Sequence, residues 1–270
     1  MTTNINNPAG KYASVNGINL YYEIHGTGKP LILLHGGFGT LEMFAALSPT
    51  LAENRQVIGV DLYGHGRTAL TNRPLRFEHM ADDIAGLLHH LGLEQADLLG
   101  YSLGGAVALQ TAIRHPEHVN KLVVISTPFK FTGWYPDVQT GFTSIAAEFM
   151  VKTPLYDAYT SIAPKPEDFP RLVGEMKEGL SQDYDWTEQV SALRTPTLII
   201  AGDSDALPPS HAVAFFTLLG GGLKDAGWTG EHLLPSQLAI LPGVTHYNIV
   251  FRADLLLPVL SPFLDETSER

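Results

Sequence analysis

A serine, a histidine and a pair of aspartates carry the chemistry this chain could perform. The serine is Ser102, in Gly100-Tyr101-Ser102-Leu103-Gly104. An apolar run, Ala96-Asp97-Leu98-Leu99, precedes it, and a helix-like run from Gly105 to Gln110 follows. A strand, a sharp turn and a helix with a hydroxyl at the apex expose that oxygen and bring backbone N–H groups beside it. The flanking glycines let the chain turn without side-chain clashes. A serine hydroxyl is a poor nucleophile at neutral pH unless a neighbour takes its proton. The rest of the chain must therefore supply a base, an acid and an oxyanion site.

His246 is the candidate base, in Leu241-Pro242-Gly243-Val244-Thr245-His246-Tyr247. The chain has eleven histidines, so position rather than residue type singles it out. It follows the last strand-like run, which puts it at the C-terminal edge of an α/β sheet, where ligands and catalytic groups gather. Imidazole suits the task because its unperturbed pKa is about 6.5. An acid is expected after the preceding run, Leu198 to Gly202, where Asp203 and Asp205 both stand. Either carboxylate could orient the imidazole and stabilise its cation. Spacing alone does not separate them, and the other would serve as a turn or capping residue. An oxyanion site is expected at His35-Gly36-Gly37-Phe38-Gly39, just past the run Leu31–Leu34. Glycines there let backbone N–H groups approach a developing negative charge, and the N–H groups of Gly37 and Leu103 are the candidate donors. Phe38 would then face the pocket.

Positioning these groups requires a sheet with helices between its strands. Strands are expected at Lys11–Val15, Asn19–His25, Leu31–Leu34, Val57–Leu62, Asp97–Tyr101, Leu122–Ser126, Thr197–Gly202 and Leu238–Leu241. The later ones are continuous apolar runs, as in strands buried on both faces of a parallel sheet. Apolar Met80, Ile84, Leu87, Leu88 and Leu91 recur at helical spacing before Gly92, a stop signal. The first two runs, split by Asn16-Gly17, read as a hairpin at the sheet's leading edge. This alternation predicts an α/β fold with an eight-stranded, mostly parallel sheet flanked by helices.

Residues 128–190 break the alternation. They contain eleven aromatic residues and several prolines but no clear strand. They read as a small helical cap over a core formed by residues 1–127 and 191–270. Phe129, Trp134 and Trp186 are the cap's candidates for lining a substrate pocket. The stretch from Gly220 to Gly230 reads as a surface insertion.

Composition narrows the partners. The 270-residue chain has a formal net charge of −11 and no Lys/Arg cluster, so nucleic-acid binding is not expected. No apolar run is long enough to span a membrane, and Met1 to Gly10 is polar and lacks the apolar core of a secretory signal. The absence of cysteine excludes disulfides, thiolate catalysis and Cys-ligated zinc. No cofactor or metal is expected, the oligomeric state is unread, and a cytoplasmic location is the default expectation.

Together these motifs resemble the α/β-hydrolase superfamily over nearly the whole chain. They comprise the glycine-rich stretch at 35–39, Asp61-Leu62-Tyr63-Gly64-His65-Gly66, the serine turn, the Gly202–Pro208 loop and the histidine loop. The resemblance implies that Asp205, three residues after Gly202, is the acid of the triad. It also implies that Asp61 and Gly64–Gly66 form a structural turn. Serine rather than aspartate at 102 implies acyl chemistry. The resemblance is to the esterase, lactonase and perhydrolase branch, including acyl-homoserine-lactone hydrolases. Those lactonases carry a polar residue where this chain has Gly37. The function expected is hydrolysis of small carboxylic esters or lactones, N-acyl homoserine lactones among them, through an acyl-enzyme. C–C bond hydrolysis or perhydrolysis on the same triad, or a slow-turnover ligand receptor, are the alternatives.

Overall fold

The computed structural model describes residues 10–151 and 153–266. The N-terminal segment read above as lacking a secretory signal lies outside the described residues, apart from Gly10.

Among the described residues eight strands form one sheet: β1 (Lys11–Val15), β2 (Ile18–His25), β3 (Lys29–Leu34), β4 (Arg55–Asp61), β5 (Ala96–Tyr101), β6 (Val119–Ile125), β7 (Thr197–Ser204) and β8 (Gln237–Thr245). Their spatial order is β1-β2-β4-β3-β5-β6-β7-β8. β2 runs antiparallel to both β1 and β4, and every other pairing is parallel. Asn16 and Gly17 join β1 to β2 with positive φ at both residues (46° and 81°), the geometry that a two-residue hairpin of matching twist demands. The strands fall where hydrophobic runs predict them. β7 and β8 run further, to Ser204 and Thr245, so the last strand passes through Pro242-Gly243 rather than stopping at Leu241.

Among the described residues ten helices accompany the sheet: α1 (Ser48–Leu51), α2 (Phe77–Leu91), α3 (Leu103–Arg114), α4 (Pro136–Ser144), α5 (Ala147–Met150), α6 (Pro154–Ile162), α7 (Phe169–Leu180), α8 (Thr187–Ala192), α9 (Pro209–Leu218) and α10 (Ala253–Asp265). The period-2 alternation of a strand sends neighbours to opposite faces. In β3, Leu31 and Leu33 enter the layer shared with α1 and α10, while Ile32 and Leu34 enter the layer shared with α2 and α3. β6 divides in the same way, with Val123 and Ile125 on one face and Leu122 and Val124 on the other. Burial on both faces is why these strands read as unbroken apolar runs.

Between β6 and β7 the described chain forms α4 to α8 and no strand. Prolines open α4 and α6 at their first position, where a missing N–H costs nothing. The Gly220–Gly230 stretch between α9 and β8 contains neither helix nor strand, and Trp228 on it is fully exposed.

The edge of the sheet opposite the serine is tied by ions. Arg55 on β4 reaches beneath β3 to Asp97 on β5, Nη1 to Oδ2 2.7 Å, with both side chains almost wholly buried. Asn120 donates to the other oxygen of Asp97 at 2.6 Å, and the exposed Asp265 takes the second Arg55 nitrogen at 2.9 Å. Removing one partner of such a pair strands a buried charge. Asp97→Ala is therefore expected to destabilise the protein by about 3–5 kcal/mol in urea denaturation at neutral pH. A loss below about 1 kcal/mol would contradict this account.

Candidate active site

Ser102 sits between the end of β5 and the start of α3 with φ +53°, a left-handed conformation that a side chain rarely adopts. Such a backbone costs roughly 1–3 kcal/mol and persists only where its surroundings over-determine it. Here they do. Ser102 N donates to Ile125 O at 2.9 Å, and Ser102 O accepts from Thr127 Oγ1 at 2.9 Å and Ala106 N at 3.0 Å. The flanking glycines are required by close approach. A Cβ at Gly100 would lie 2.1 Å from Gly104 O, and one at Gly104 would lie 2.0 Å from Leu34 O.

The geometry brings Ser102, His246 and Asp205 together. Ser102 Oγ is 3.1 Å from His246 Nε2, and His246 Nδ1 is 2.9 Å from Asp205 Oδ1. An ionised carboxylate can only accept, so Nδ1 carries the ring proton and Nε2 is left to accept from the serine hydroxyl. Burial works against the Asp205 charge. Bonds from His246, the Gly202 N–H and the Ser126 hydroxyl outweigh it and hold the carboxyl below its usual range. Asp203, the other aspartate of the loop, is exposed and accepts from Gly243 N at 2.9 Å. It pins the β8 end of the histidine loop and does not reach the imidazole.

The oxyanion candidates also converge. Gly37 and Leu103 border one cavity with Ser102. Leu103 is the first residue of α3, so its N–H belongs to the first turn, where no intrahelical acceptor exists and the helix dipole favours negative charge. The loop carrying Gly37 is fixed from behind. The Asp61 carboxylate accepts from Leu41 N and Arg67 N, both at 2.9 Å, and pairs with the Arg67 guanidinium, whose other arm meets Glu42. His35 is fully buried; its Nδ1 bonds Gly36 O at 2.8 Å and its Nε2 accepts from Leu62 N at 3.0 Å. From α7, the buried Met176 covers Gly37, where a Cβ would stand 2.7 Å from the thioether methyl.

The cavity beside Ser102 has a volume of about 40 Å³. Phe77, Trp134, Phe142 and Tyr184 wall it, and none of its described lining side chains is charged. Burial pushes the Tyr184 phenol up, so this polar wall group stays neutral. Of the aromatic residues expected to line a pocket, Trp134 does, with its ring 5.5 Å from the imidazole of His246.

Phe38, Phe129 and Trp186 do not line the cavity. Phe38 has φ +58° and packs against His65 and Phe169, each with ring centroids 6.3 Å away. Phe129 stacks on His211 at 4.3 Å and meets the edge of Phe215. Trp186 stacks behind Tyr184 at 4.3 Å and contacts Phe77 edge-on, one layer back from the cavity. An aromatic count locates the apolar mass of residues 128–190 but not which rings face inward.

Three polar residues of the site escaped the motif reading: Ser126, which donates to Asp205; Thr127, which holds Ser102 O; and Tyr101, which donates to His246 O. Ser126 and Thr127 follow β6 at the same sheet edge as the serine, the one signal that could have drawn attention to them. Among the described residues no group of three or more His, Asp and Glu side chains is arranged to hold a metal ion. No described helix is long and apolar enough to cross a membrane.

A family profile described as alpha/beta hydrolase fold matches residues 29–149. A protein of Azorhizobium caulinodans assigned as a carbamate hydrolase, RutD, is 30% identical over 241 residues, covering 80% of this chain and 87% of that protein. A 3-oxoadipate enol-lactonase of Acinetobacter baylyi is 27% identical, over 79% of this chain and 80% of its own. Among solved structures, a thermophilic esterase of Thermogutta terrifontis is similar in fold. It superposes with a TM-score of 0.71 at 22% identity, covering 95% of this chain and 98% of that one.

The buried histidines make stability depend on pH. Burial pulls His35 down to about 4; burial and the neighbouring His35 pull His65 down to about 3. The unfolded chain takes up these protons as pH falls through about 6.5, whereas the folded chain resists until near or below 4. The stability they contribute is thus complete above about pH 6.5 and drains as pH falls through the folded values. Between about pH 7.5 and pH 5, His65→Asn is expected to lose about 2 kcal/mol less than the parent, read from urea midpoints. Equal losses in the two proteins would show that His65 is not held neutral.

Proposed function

The chain belongs to the α/β-hydrolase family, and on that premise we propose that it is a serine hydrolase of small, uncharged carboxylic esters or lactones. The observation that carries this reading is the relay from Ser102 through His246 to Asp205, opening onto a small cavity without charged walls. His246 Nε2 takes the proton of Ser102 as Oγ attacks the substrate carbonyl. The N–H groups of Gly37 and Leu103 receive the negative charge that develops on the carbonyl oxygen. Asp205 keeps the imidazole in the accepting tautomer and stabilises its cation. The imidazolium returns the proton to the leaving alcohol, which departs from a linear ester and stays tethered in a lactone. Water then enters, gives a proton to His246 and attacks the acyl carbonyl, and the imidazolium returns that proton to Ser102 Oγ as the carboxylic acid departs.

The cavity limits the acyl group. A volume of about 40 Å³ admits roughly three water-sized groups, which fits acetyl or propionyl and excludes a long chain in this conformation. With no lining cation to pair it, a substrate carboxylate would be desolvated at high cost. Residues 128–190 act in this reading as the cap that keeps the acyl group dry. Carbamate and enol-lactone cleavage, which the relatives' names state for those proteins, use the same attack on a carbonyl.

In assays of matched p-nitrophenyl esters, the acetate is expected to exceed the octanoate in kcat/KM by about tenfold or more, since a chain too long for the cavity must push packed side chains aside at a cost of about 1–3 kcal/mol. Ser102→Ala is expected to lower kcat on the acetate by about 10⁴-fold or more. Near-parental turnover by Ser102→Ala would sink the mechanism. Preference for octanoate, for an N-acyl homoserine lactone of long chain or for a diketone cleaved at carbon would sink the substrate class.

A further inference from the structure

The Ser102–His246 distance depends on a loop with few fixed points of its own. His246 directly follows β8, and Tyr247 beside it is 78% exposed. The loop's internal bonds join Thr245 N to Asn248 Oδ1 at 2.8 Å and Asn248 N to Thr245 O at 3.4 Å. Both fix the residues on either side and leave the His246 peptide to something else.

Tyr101 supplies it. Its hydroxyl donates to His246 O at 2.5 Å, across 145 positions of sequence. Its ring is 4% exposed and lies 5.3 Å from the imidazole, tilted by 37°. The ring also packs against the loop that carries Gly37, where a Cβ at Gly36 would meet it at 2.7 Å. Tyr101 is also the residue before Ser102. One rigid side chain therefore touches the turn that carries the serine, the loop that carries the histidine and the loop that carries Gly37. Burial keeps its phenol protonated, so it remains a donor.

We propose that Tyr101 is a positioning residue that sets the imidazole of His246 against Ser102 by holding the histidine's own carbonyl. The inference rests on the roles proposed above for Ser102 and His246. Without the hydroxyl, the peptide at 246 is free to rotate, and the ring it carries leaves the serine for part of the time. The loss falls on proton transfer, because Tyr101 does not line the cavity that takes the acyl group.

Tyr101→Phe keeps the ring and deletes only the hydroxyl. With p-nitrophenyl acetate as substrate, kcat is expected to fall about 10- to 100-fold, the scale on which a displacement near 1 Å acts. KM should stay within about threefold and Tm within about 4 °C of the parent, the shift expected from one lost hydrogen bond. The solvent deuterium isotope effect on kcat should rise as proton transfer becomes rate-limiting, and the labelling of Ser102 by a fluorophosphonate should slow in step with kcat. A kcat within twofold of the parent overturns the proposal. So does a loss of kcat accompanied by a parallel rise in KM or a fall in Tm beyond about 10 °C, which marks mere packing. Failure of the triad reading itself shows separately, as activity that survives Ser102→Ala.

Discussion

The backbone at Ser102 is the constraint on which the site depends. A left-handed serine at the end of a parallel strand turns the chain directly into α3, aiming the first N–H groups of that helix at the point where the hydroxyl emerges. The turn exists only because β3, β5 and the start of α3 approach at backbone contact. That is why Gly100 and Gly104 lack side chains and why Leu34 O lies where a Cβ would be. The strain is offset by bonds to the neighbouring strand β6 and the loop that follows it, through Ile125 O and Thr127 Oγ1. The same edge of β6 supplies Ser126, whose hydroxyl steadies Asp205. Ser102 and Asp205 are thus braced from a single strand end, and His246 is suspended between them.

Electrostatics divide the site into two regimes. Asp205 is held ionised by converging donors despite its burial, which gives the imidazole a fixed partner. His35, at the start of the loop that carries Gly37, and His65, its ring 5.3 Å from that of His35, are held neutral by burial and act as shaped hydrogen-bonding struts rather than as bases. Residue type alone would rank these histidines equally with His246. What separates them is the company each keeps: a carboxylate for one, backbone carbonyls and aromatic rings for the others.

The legibility of this chain follows the same division. The sheet could be read because strands buried on both faces leave long apolar runs, and the α3 turn because glycines are the only residues that fit it. The aspartate could not be chosen by spacing, since Asp203 and Asp205 differ by one strand alternation; the bonds at Gly202 and Ser126 decide which carboxylate turns inward. Phe38 reads as a pocket residue from its place beside Gly37, yet its positive φ swings the ring beneath α7 to meet Phe169. Which rings of residues 128–190 face the serine depends on helix rotation and on stacking among themselves, as with Trp186 behind Tyr184. Those are tertiary choices that a linear pattern does not encode.

Met176 over Gly37 couples α7 to a loop far from it in sequence. The methyl is the mobile end of its side chain, but the residue is fully buried, so it can yield only into packed interior. A side chain gained at 37 and a smaller residue at 176 would each be a defect alone, one a collision and the other a void, and together a compatible pair. Such coupling makes the order of substitutions matter. A lineage adding a side chain at 37 would have to change α7 above it first, or pass through a damaged ancestor.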